Sequence, residues 1–135
     1  MTSESRHVAV VEVHVGFVML YSRVLQQLEH APREVLFQLT LRNVIVGSKR
    51  LLMTRHVPGP AWHAIDHQSY VAEIDPAVAK VTVPTAQITG TPWAVAYLLV
   101  ERFTSFFDFP VDLIPFVREE HGVKEIDVEA IKNLS

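Results

Sequence analysis

His63-Ala-Ile-Asp-His67 is the strongest metal-like pattern in the chain. On a helix an i, i+4 pair of imidazoles faces one way and can chelate a divalent ion. A hydrolytic zinc site adds a glutamate beside the first histidine and a third ligand, whereas alanine follows His63 here. Two prolines and a glycine just upstream, in Val57-Pro58-Gly59-Pro60, also argue for a loop. The sequence therefore assigns no metal and no other cofactor, and His63 and His67 remain weak candidates.

Glu12 and His14 form a second titratable pair. On an extended strand they share one face, an arrangement open to general acid–base work and equally to ordinary polar decoration. No nucleophile stands beside them, and no Gly-rich phosphate loop or Gly-x-Ser-x-Gly elbow exists among the five glycines. No catalytic residue is assigned, and a non-enzymatic role is the expectation.

A third group is basic. Between Val35 and Ile65 there is no Asp or Glu, while Arg42, Lys49, Arg50 and Arg55 fall in that stretch. Guanidinium and ammonium groups on adjacent strands can track phosphates, which makes the 42–55 hairpin a candidate anion or nucleic-acid surface. Against this, the net charge is −3 and no aromatic lies among those residues for base stacking. From Asp108 onward the chain is acidic, so one copy's tail can also attract another's basic hairpin.

These residues must be held by elements that periodicity suggests. His7 to Tyr21 alternates, with Val11, Val13, Val15, Phe17 and Met19 on one side, and this predicts a long half-wet strand. Ser22 then caps a short helix carrying Val24, Leu25 and Leu28 and ending before Pro32. A second strand is expected at Glu34 to Val46, with Val35, Phe37, Leu39 and Leu41 inward. It turns at Gly47-Ser48-Lys49 into a partner strand at Arg50 to His56. Further strands are expected at Ser69 to Ile74 and Val78 to Val83, followed by a short polar linker to Gly90. Phe116 to Glu119 should pair with Val123 to Ile126, and Asp127 should cap a last helix.

The longest apolar element is expected from Pro92 to Phe107. Thr91 suits the N-cap and Pro92 the first helical position. Apart from the Tyr97 hydroxyl, its only polar side chains are Glu101, Arg102, Thr104 and Ser105. A helix apolar on nearly every side needs cover on most sides, from the chain's own ends or from a second copy or partner. Trp93, Val100, Phe103, Phe106 and Phe107 are thus candidate core or interface residues. Trp93, Tyr97, Phe103, Phe106, Phe107 and Phe109 could also line a pocket for a small apolar ligand between helix and sheet, although aromatics at this spacing equally form plain core.

The fold class that follows is α+β: a single domain of 135 residues with an antiparallel sheet of about five strands, one long apolar helix packed on it and two short helices. Apolar residues make up 49% of the chain, yet no run is long enough for a membrane span, and no secretory leader is recognisable. With no cysteine, disulfide and thiolate chemistry are excluded, which fits a cytoplasmic address. The expected role is an oligomeric interaction module or accessory subunit that self-associates or binds a protein partner.

Pro92, the aromatic-rich helix and then Phe109-Pro110-Val111-Asp112-Leu113-Ile114-Pro115 resemble the tail of SecB-type export chaperones, over about a quarter of the sequence. That resemblance implies an oligomeric α+β protein that holds unfolded chains.

Overall fold

The structure, a computed structural model, describes residues 3–43, 45–46, 49–50, 52–54 and 69–133. It is mixed α and β, but the five-strand sheet is not formed. Among the described residues the strands make four separate antiparallel pairs.

The first element corrects the sequence expectation most. Residues 7–21 are not a strand; they belong to α1, a 25-residue helix at Ser3–Gln27 that also absorbs the separate helix expected from Ser22. The alternation of valines is real, but a second period runs through the same residues. Val11, His14, Val18, Ser22 and Leu25 fall at three- and four-residue steps, and all five are buried. Two of the five are polar and find local partners. His14 Nδ1 donates to the Val10 carbonyl at 2.7 Å, and Gln26 Nε2 donates to Ser22 Oγ at 3.5 Å. Packing of that stripe overrides the strand propensity of its valines.

β1 (Glu34–Leu41) pairs antiparallel with β6 (Ala77–Pro84), with Phe37 opposite Val81 and Val35 opposite Val83. These inward residues join the core, while Leu36, Gln38, Thr40, Val78, Lys80 and Thr82 face outward. Between them lie β2 (Ile45–Val46) paired with β3 (Lys49–Arg50), and β4 (Leu52–Thr54) paired with β5 (Ser69–Val71). The expected second strand is thus interrupted at Asn43, whose φ of 60° breaks the extension. Asp75 secures this corner: its Oδ1 accepts from the Asn43 N–H at 3.0 Å and its Oδ2 from the Ile45 N–H at 2.9 Å.

The expected linker to Gly90 is instead α2 (Thr85–Gly90), joined to α3 (Pro92–Ser105) through Thr91. Thr91 does not cap α3 with its side chain. Its hydroxyl donates backward to the Gln87 carbonyl at 3.1 Å, closing α2, so Pro92 alone marks the start of α3. A 3-10 turn at Val111–Leu113 follows, then the hairpin β7 (Val117–Glu120) and β8 (Val123–Ile126). His121 and Gly122 both have positive φ, 53° and 78°, as a two-residue hairpin turn of this hand requires. Asp127 caps α4 (Val128–Lys132), its Oδ1 accepting from the Ala130 N–H at 3.1 Å.

α3 lies at the centre. Val95, Ala96, Tyr97, Leu99, Val100 and Thr104 are buried, and the helix packs chiefly against α1 and β8, more lightly against α2, β1 and β6. The cover that this apolar helix needs is thus supplied largely by elements from the two ends of the chain rather than by a sheet. The buried Thr104 hydroxyl donates to the Glu101 carbonyl at 2.9 Å. Each fully buried aliphatic side chain here contributes about 1.5–3 kcal/mol relative to exposure.

Candidate interaction surface

α1 carries a second apolar stripe, and this one is open. Val13, Phe17, Leu20, Tyr21 and Val24 recur at three- and four-residue steps within about 100° of arc at 100° per residue, and Leu28, just past the end of the helix, continues them. Their exposures run from 37% at Tyr21 to 69% at Val13. From Val13 to Val24 the stripe spans about 17 Å along the axis. Along one edge it is supported by β1: the Phe17 and Tyr21 rings pack at a tilt with centroids 4.7 Å apart, and each stands 6.0 Å from the Phe37 ring. Its other edge is polar and exposed, with Glu12, Gly16, Arg23 and Gln27. A contiguous apolar patch of a few hundred Å² with a polar rim is the form that a contact surface takes.

The sequence-predicted residues are distributed differently. Val100 and Phe107 are buried in the core, while Trp93, Phe103 and Phe106 are half-buried. Phe103 packs edge-on against the His14 ring at 5.5 Å and lies against Phe106 and Phe107 at 6.3 and 5.8 Å. These aromatics join α1 to α3 rather than forming one exposed patch. Glu12 and His14 do not share a face: on a helix they lie 200° apart, Glu12 exposed and His14 buried. Burial holds the His14 imidazole below its ordinary range, the bond to Val10 opposing this more weakly, so the ring stays neutral against Phe103.

Of the basic group, Arg42 is exposed beside the Asp75-held corner. Lys49 and Arg50 occupy β3, with backbones opposite Val46 and Ile45. Arg55, His63 and His67 lie outside the described residues.

No family model, curated protein or solved structure compared with the chain matches it.

Chemistry-bearing groups also stand elsewhere among the described residues. Tyr97 is buried on α3, and its phenol is pushed up by burial first and then by the Glu101 and Asp112 carboxylates. An open cleft of about 510 Å³ is lined by Ile74, Pro76, Val78 and Phe106, with Glu73 and Asp108 also present. Its carboxylates suit neither an apolar ligand nor an anion. Among the described residues no helix is long and apolar enough to cross a membrane. The exposed stripe of α1 was missed in the sequence because its members were divided between an assumed strand and an assumed short helix. Steps of four, three and four residues through Val13, Phe17, Leu20 and Val24 were the available signal.

Proposed function

We propose that the chain is a non-enzymatic interaction module, an oligomeric or accessory subunit that buries the exposed stripe of α1 against another protein surface. One observation carries this reading: a helix anchored by one buried stripe presents a second, continuous one to solvent. Aromatic and aliphatic side chains at the centre with charges confined to the rim suit a protein contact. Hydroxyl-radical footprinting of Phe17, Leu20 and Tyr21, in protein isolated with its natural partners, tests it. Protection relative to the isolated, dilute chain supports the proposal, and equal reactivity in both overturns it.

The same stripe supports a second reading, in line with the chaperone resemblance: transient holding of apolar segments of an unfolded chain. Phe17 and Tyr21, a joined pair of half-exposed rings, favour it. Suppression of a client's aggregation that disappears in Phe17→Glu would identify this mode.

A further inference from the structure

We propose that the occupant of the α1 stripe is α1 of a second copy of the chain, packed antiparallel about a two-fold axis near Phe17. This rests on the stripe being a contact surface and adds the partner and its orientation.

The first argument is Gly16. Glycine inside a helix is destabilising by roughly 0.5–1 kcal/mol relative to alanine. Here no intramolecular contact explains it, because a Cβ built at Gly16 meets nothing within 4 Å. The vacancy lies on the open rim at the level of Phe17, between Val13 and Leu20 of the stripe. An approaching helix with a large side chain at that level would use this space, and a two-fold axis at Phe17 brings the second copy's Phe17 there.

The second argument is charge. Glu12 and Arg23 are both exposed on the Gly16 rim, and neither makes an ion pair among the described residues. An antiparallel two-fold pairing keeps equivalent rims on the same side and reverses the axial direction. With its centre between positions 17 and 18, Glu12 of each copy then stands opposite Arg23 of the other, and the match occurs twice. A parallel pair would set this rim against the opposite edge, which carries Val10, Tyr21 and Leu28, and the match is lost.

The third argument is the spacing of the layers. The same axis places Val13 of one copy against Leu20 and Tyr21 of the other, and Val10 against Val24. All five lie on or beside the stripe and none is charged. The three- and four-residue steps are those by which facing helices interdigitate.

The absence of native cysteine makes cross-linking direct. Chains carrying Val13→Cys are mixed with chains carrying Tyr21→Cys and oxidised. The expected product is the mixed disulfide, and predominance of the two self-linked products overturns the antiparallel arrangement. Sedimentation equilibrium should give a reversible dimer of the 15.3 kDa chain. Gly16→Leu should weaken it by at least about tenfold with no loss of helix content. Arg23→Glu should weaken it about three- to tenfold, and adding Glu12→Arg should restore it. A monomer at the highest soluble concentration overturns the second-copy inference and leaves the stripe as a surface for a different protein. A dimer indifferent to Gly16→Leu and to Leu20→Glu overturns this inference and, if the footprint also shows no protection, the contact-surface reading with it.

Discussion

α1 and α3 are the two long helices, both rich in apolar residues, and the chain treats them differently. α3 is enclosed: α1 lies against it, β8 covers another side, and Leu99 and Val100 are 0% and 1% exposed. α1 is enclosed on one stripe only, with Leu20 at 58% and Val13 at 69%. An apolar helix is thus no evidence of assembly in itself, since a chain with suitable ends can wrap it. What carries the evidence is an apolar stripe remaining after the chain's own packing is complete.

The contrast can be broken most forcefully from the enclosed side. Leu99→Ala should destabilise the chain by about 2–5 kcal/mol in urea unfolding, because the cavity lies where α3 is fully covered. A loss below about 1 kcal/mol would mean that α3 is less enclosed than described. Next comes the seam between the helices. His14 has a lowered pKa in the folded chain, so the unfolded chain binds the proton more readily. Its contribution is present above about pH 6.5 and is lost as pH falls from there through the lowered folded value. Unfolding titrations of His14→Leu should lack that part of the acid sensitivity, and an unchanged profile would place the sensitivity elsewhere.

Smaller effects sharpen the picture. Asp127→Ala should remove about 1 kcal/mol by uncapping α4, read from the urea midpoint at constant slope. Leu20→Ala, on the open stripe, should change the stability of the dilute isolated chain by no more than about 0.5 kcal/mol. If it costs as much as Leu99→Ala, the stripe is already covered within one chain and the comparison fails.

The legible and illegible parts of the sequence divide along the same line. The β7–β8 hairpin was readable because His121-Gly122 sits between two short runs that can only pair locally, and Asp127 because a cap acts within three residues. α3 was readable because Pro92 fixes its start and no alternative period competes through its aromatics. α1 was not, because Val11, Val13, Val15 and Phe17 satisfy a period of two while Val11, Val18 and Leu25 satisfy a helical one. The residues that would have decided it, His14 and Ser22, are polar, and their burial follows from bonds to Val10 and Gln26 that no count of apolar residues registers. The five-strand sheet failed for a different reason. Alternation marks a strand but does not say which neighbour lies beside it, and here β1 found β6 while the strands between them paired among themselves.

One carboxylate has an effect out of proportion to its size. Asp75 grips the backbone on both sides of position 44, thirty-two and thirty residues away in sequence from its two donors. The stretch it grips contains no acid of its own. The start of the basic stretch is therefore anchored at Asn43 and Ile45 by an acid borrowed from the approach to β6. A neutral, shorter residue at position 75 would leave both amides without this acceptor, so one side chain far along the chain decides whether the break after β1 keeps its backbone bonds.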